Sequence, residues 1–167
     1  MKASLPVIAA LCLFTACAGI TENQLALDPV IQATEKISDS VSRKRAEFFR
    51  LKNEYHHSSR REIFFARMIE LKTNIRDELA HAEYFQKYNA YYDQGIDYER
   101  WKSARDVYRL CRKTLCEMTL ELGELAMNNS DNGYAVALFK AVKSEFTDED
   151  FSAYVDQAEN FIQNIKQ

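Results

Sequence analysis

Apolar positions recur along most of this chain at intervals of three and four, the spacing of one face of an α-helix. The clearest run is Trp101, Ala104, Tyr108, Cys111, Leu115, Met118, Leu122 and Leu125, which reads as a seam for packing against neighbouring helices. Ahead of it, Ile37, Val41, Phe48, Leu51 and Tyr55 mark a first helix. Asp28-Pro29 opens it with an N-cap acid and a proline whose missing N–H costs nothing at the first helical position. Ile63, Phe65, Ala66, Ile69, Ile75, Leu79, Ala82 and Phe85 mark a second helix, running to about Tyr92. No Gly or Pro separates the two, but Ser59-Arg60-Arg61-Glu62 has the form of a capping box and predicts a break at His56–Ser59. Asp93-Gln94-Gly95-Ile96 predicts a turn, with Asp97 capping the third helix. Asn128 to Gly133 is the strongest loop signal in the chain. A short helix then holds Tyr134, Leu138, Ala141 and Val142. Thr147, followed by three acids, is expected to cap a last helix with Phe151, Tyr154, Val155, Ala158, Phe161, Ile162 and Ile165 on one stripe.

Composition strengthens this picture. The chain has four Gly and two Pro, too few for an all-β protein that turns every ~8–12 residues. The expected class is therefore all-α: an antiparallel helical bundle, or stacked helical hairpins, of four to five helices in a single domain over 29–167. The stretch from Leu122-Gly123 through Gly133-Tyr134 and Ala137 resembles one tetratricopeptide unit. It lacks that family's usual aromatic and Pro positions and does not recur, so it assigns no family.

The first residues follow a different pattern. Met1-Lys2 precedes an apolar run from Leu5 to Phe14, far shorter than the ~20 residues of a membrane-spanning helix. A charged start, a short apolar run and small residues afterwards describe a secretory signal peptide. Phe14-Thr15-Ala16-Cys17 resembles the lipobox of bacterial lipoproteins, although that family usually has Leu where Phe14 stands. The resemblance implies cleavage before Cys17, which would carry the acyl chains, palmitate among them, so that 1–16 is signal peptide and 17–28 the lipidated cysteine and a polar tether. Ala18 in place of Asp implies the outer membrane, with the body facing the periplasm. The alternative is cleavage at Ala16-Cys17-Ala18, an A-x-A site that releases a soluble periplasmic protein.

Charge is unevenly spread. From Arg43 to Arg76, ten basic residues face four acidic ones; from Glu117 to Gln167, three face ten. Nucleic acid is not an expected partner outside the cytoplasm. Either the basic region meets anionic lipid or an acidic partner, or the two regions neutralise each other within the bundle.

Candidate chemistry is sparse. Glu54-Tyr55-His56-His57 and Glu78-Leu79-Ala80-His81 both read Glu-x-x-His, the motif by which carboxylate-bridged di-iron bundles hold metal, with Glu121 or Glu124 as further acids. On one continuous helix, however, His57 and His81 would stand ~36 Å apart. Cys111 and Cys116 are five apart, and a regular helix points such a pair away from each other, beyond disulfide reach. There is no Gly-rich phosphate loop, nucleophile elbow or zinc-ligand spacing, so neither an enzyme, a cofactor nor a metal is expected. Aromatic residues crowd one end of a hairpin: Tyr84, Phe85, Tyr88, Tyr91, Tyr92, Tyr98 and Trp101. One helix face cannot hide them all, which makes Tyr84, Tyr88, Tyr91, Tyr92, Tyr98 and Trp101 the expected contact surface for a partner. The functional expectation is a lipid-anchored envelope protein whose helical body binds another envelope protein, as an assembly or pilot factor, an adaptor or an immunity-type blocker. The alternative is a small-ligand or metal-binding bundle, with enzyme activity as its extreme form.

Overall fold

The computed structural model describes residues 22–89 and 95–165, which form six α-helices and no strand. They are α1 (Glu22–Leu27), α2 (Pro29–Tyr55), α3 (Arg61–Tyr88), α4 (Gly95–Asn128), α5 (Asn132–Glu145) and α6 (Ser152–Ile165), with a single 3-10 turn at Glu149–Phe151 before α6. The all-α expectation holds. Cys17, Tyr91, Tyr92 and the expected turn over 93–94 lie outside the described residues. The second half of the segment expected as a tether is helical, as α1.

Local chemistry accounts for most helix ends. Asp28 caps α2 as expected, its Oδ1 accepting from Val30 N at 3.0 Å and Ile31 N at 3.2 Å. The helix stops at Tyr55, in the expected place but by other means. Ser59 is not the cap of α3; Arg60 stands at that position without a side-chain cap bond. The turn is held instead by Ser58 Oγ accepting from Arg60 N, and by the Arg61 guanidinium donating to the His56 carbonyl at 2.8 Å. Asp97 lies within the first turn of α4, which begins at Gly95, rather than ahead of it. The expected loop over Asn128–Gly133 contracts to Asn129, Ser130 and Asp131. Ser130 N donates to Met127 O and Asp131 N to Ala126 O, both at 2.9 Å, which satisfies the last carbonyls of α4. That closure requires a left-handed residue, and Ser130 supplies it at φ 63°, where glycine is usual. Asp131 then caps α5 through Tyr134 N. Thr147 does not cap the last helix, because the chain first makes the 3-10 turn after Asp148.

Cross-helix pairs give the directions. Asp28–Arg100, Thr34–Ser103, Arg45–Glu117, Lys52–Glu121 and Tyr55–Asn129 rise together, so α2 and α4 run parallel. Glu47–Arg67 and Lys44–Glu78 run oppositely, so α3 is antiparallel to α2. Phe65–Tyr134 and Arg76–Glu145 make α5 parallel to α3. Phe139–Phe161 and Lys143–Glu159 fold α6 back along α5.

Helix α4 is the shared partner of α2, α3, α5 and α6. Its predicted seam is buried from Ala104 to Leu125, except that Trp101 and Tyr108 are half-buried. Burial spreads beyond the seam: Thr114, Cys116, Thr119, Leu120, Gly123 and Ala126 are covered as well, so from Thr114 to Ala126 only the half-buried stripe of Glu117, Glu121 and Glu124 reaches solvent. Phe48, Met68, Ile75, Leu115, Met118, Leu122 and Phe139 fill this core, each contributing about 1.5–3 kcal/mol for full burial. Gly123 is where α5 comes closest. A Cβ there would stand 2.5 Å from Phe139, whose ring is fully buried and stacked on Phe161. In α3 the buried line is Met68, Leu71, Ile75 and Ala82. Ile63 and Ala66, assigned to the inner face from sequence, are exposed.

Candidate functional site: the open flank of α4

Helices α5 and α6 cover only the second half of α4. Along the first half, a flank stays open, and the charged residues there begin to matter. Arg105, Arg109 and Lys113 follow at four-residue spacing and form one wall of a groove of about 800 Å³. Asp148, just ahead of the 3-10 turn, and Glu149 and Asp150 within it form the other wall, with Tyr108, Phe151 and Tyr154 also lining the groove. Arg112 fixes the acidic wall in place. Its guanidinium lies 4.8 Å from the Phe151 ring centre, pairs with Asp148 and donates to the Glu145 carbonyl at 3.2 Å.

The basic wall is less satisfied. Arg105 stacks over Trp101 at 4.5 Å, and its nearest carboxylate, Asp106, is 3.7 Å away. Its Nε is the one buried side-chain polar atom without a hydrogen-bond partner among the described residues. Arg109 and Lys113 are exposed and have no ion-pair partner among the described residues. A buried donor left unmade is costly, and such groups ask for an explanation.

The charge asymmetry of the sequence resolves differently. Arg45–Glu117, Lys52–Glu121 and Arg76–Glu145 join the basic and acidic regions, so much of that imbalance is neutralised inside the molecule. On α4, Arg109 and Lys113 line the groove with no ion-pair partner among the described residues. Sequence reasoning passed over them, and the signal was the Arg105, Arg109, Lys113 repeat on a helix already identified by its seam.

The expected aromatic surface divides into two described pairs. Tyr84 and Tyr88 pack with tilted rings, centroids 4.6 Å apart, on the solvent side of α3 and are 60% and 63% exposed. Tyr98 and Trp101 pack at 5.8 Å on α4 and are half-buried. Phe85, beside Tyr84, packs against the core.

The candidate metal ligands are not brought together. Glu78 accepts from Lys44 Nζ at 2.6 Å and Ser40 Oγ at 2.7 Å. Burial alone would raise its carboxyl, but these two bonds outweigh it and hold the group below its ordinary value. Glu121 is paired with Lys52; Glu124, raised by burial and by Glu121 beside it, accepts from Gln157 at 3.1 Å. His57 and His81 are exposed, and no group of three or more metal-ligating residues occurs among the described residues. Cys111 and Cys116 lie in one unbroken helix, free and buried, with burial pushing both thiols up to about 12. Such thiols are poor nucleophiles at neutral pH.

No described helix is long and apolar enough to cross a membrane. No protein family, curated protein or solved structure matches this chain.

Proposed function

We propose that this protein is exported, held on the outer membrane by lipid on Cys17, and uses its helical body as a docking module for another envelope protein, as an assembly factor, adaptor or blocker. The observation that carries the docking reading is the basic wall of the α4 groove: three cations at helical spacing beside aromatic side chains, with Arg109 and Lys113 lacking counter-ions among the described residues. A partner segment whose carboxylates meet the basic wall, away from Asp148, Glu149 and Asp150, with apolar side chains beside them, complements that surface. Its charges would find unpaired cations, and its apolar groups would cover Tyr108, Phe151 and Tyr154. The membrane anchor rests on Phe14-Thr15-Ala16-Cys17 and the short apolar run before it.

The test is in-cell crosslinking from a photoreactive residue at Lys113. Beside it run Arg109→Glu with a photoreactive residue retained at 113, and Cys17→Ser. One recurrent product, lost by charge reversal at unchanged abundance and depleted without Cys17, is the expected result. A product indifferent to Arg109→Glu removes the groove from the reading, and no product in any version removes the docking module.

A further inference from the structure

The fold fixes which end of the bundle carries the tether. Because α2 and α4 are parallel and α3 is antiparallel, the start of α2, the end of α3 and the start of α4 share one end. Asp28 locks that end together, accepting from Arg100 at 2.6 and 2.8 Å. α1 is held there as well, through Gln32 Nε2 donating to Ala26 O at 2.7 Å. Only four residues lie between Cys17 and Glu22, a span of at most ~18 Å over the five Cα steps. α4 alone is roughly 50 Å long. An anchored bundle therefore keeps this end close to the bilayer, whereas the opposite end reaches it only by lying flat.

The surface at the two ends differs accordingly. Among the described residues, the exposed large hydrophobic side chains are Leu27 at 77%, Ile63 at 64%, Tyr84 at 60% and Tyr88 at 63%. Three of the four belong to the tether end. The opposite end shows one, Ile63, among exposed His56, His57, Arg60, Arg61 and Glu62. Tyrosine suits a membrane interface, with its ring among glycerol and upper acyl groups and its hydroxyl in water. Lys87, stacked at 5.5 Å over the Tyr88 ring, can keep its ammonium at phosphate level.

We propose that this end of the bundle rests on the phospholipid surface through Leu27, Tyr84 and Tyr88, so that the molecule stands upright with the His56–Arg61 end pointing away from the membrane. The proposal builds on the lipid anchor at Cys17. It gives the exposed tyrosines a lipid occupant and leaves the α4 groove facing sideways for protein.

Trp101 is the only tryptophan of the chain and lies one residue from Arg100 at the tether end. Protein purified from envelopes is weighed for acyl mass, then reconstituted into phosphatidylethanolamine–phosphatidylglycerol vesicles containing a dansyl-headgroup lipid. Energy transfer from Trp101 is compared with transfer in Trp101→Phe/His57→Trp, which moves the indole to the opposite end. Transfer several-fold stronger from the tether end is expected, and Leu27→Ser/Tyr84→Ser/Tyr88→Ser should at least halve the difference while thermal unfolding stays unchanged. Equal transfer from both ends of an acylated protein overturns the upright contact and leaves the anchor standing. A difference untouched by the triple substitution overturns the role of these three side chains. A chain without acyl mass overturns the anchor, and this inference with it. Equal transfer together with loss of an envelope crosslink in Tyr88→Ala assigns the end to a protein instead.

Discussion

The two halves of α4 belong to different environments. From Leu115 to Ala126 the helix is enclosed by α2, α3, α5 and α6, so even residues off its seam, such as Cys116, Thr119 and Leu120, are buried. From Tyr98 to Lys113 it belongs to a three-helix arrangement whose outer flank meets water. The enclosed half holds the molecule together, with Gly123 and Phe139 in a contact too close for any side chain in place of the glycine's hydrogen. The open half displays Arg109 and Lys113, which have no ion-pair partner among the described residues. Under the proposed function, stability and recognition fall to successive stretches of one helix.

Substitutions can break this division or sharpen it. Phe139→Ala should have the largest effect, about 3–5 kcal/mol, because a fully buried ring is removed from between Gly123 and Phe161. Chemical denaturation reads it, and a loss below 1 kcal/mol would mean that the enclosed half is not the stabilising one. Asp28→Ala should cost about 2 kcal/mol, since it removes both the cap of α2 and a nearly buried charge-assisted bond to Arg100. The Arg100 bond holds the Asp28 carboxyl below its ordinary 3.8. Its contribution is therefore fully present above that value and disappears as pH falls through the lower folded-state value. Wild type and Asp28→Ala should converge in stability under strong acid, and a constant gap down to pH 2 would contradict the assignment. Ser130→Gly should stabilise by up to about 1 kcal/mol, because glycine adopts the left-handed conformation at φ 63° without a Cβ penalty. Lower thermal stability in that variant would show that the Ser130 side chain holds the turn. The smallest effect belongs to the open half: Tyr84→Ala and Tyr88→Ala should each change unfolding free energy by less than about 0.5 kcal/mol. A larger loss would make these residues part of the core rather than of a contact surface.

The helical class was legible because the period of apolar residues survives wherever one side of a helix is covered. Ile37, Val41, Phe48, Leu51 and Tyr55 appear in both sequence and core for that reason. Asp28 was legible because capping is local. Ile63 and Ala66 were misplaced because a period shows that a face exists without showing where its edge falls, and α3 turns its Met68–Leu71–Ile75 line inward instead. The break after Tyr55 was visible, but its chemistry, Arg61 reaching back to the His56 carbonyl, depends on three-dimensional reach. The groove was the hardest to see. Arg105, Arg109 and Lys113 are evenly spaced in sequence, yet they resemble any solvated face until the fold sets the 3-10 turn and Phe151 across from them to form a groove.

The Asp28–Arg100 bond has a mechanical meaning as well as a structural one. It stands where the N-terminal segment joins the body, and it ties together the starts of two parallel helices. A pull arriving through that segment is passed at once to α2 and α4, and it loads their interface in shear along its length instead of peeling α2 away turn by turn. Thr34–Ser103, Arg45–Glu117 and Lys52–Glu121 lie in series behind the first link and share that load.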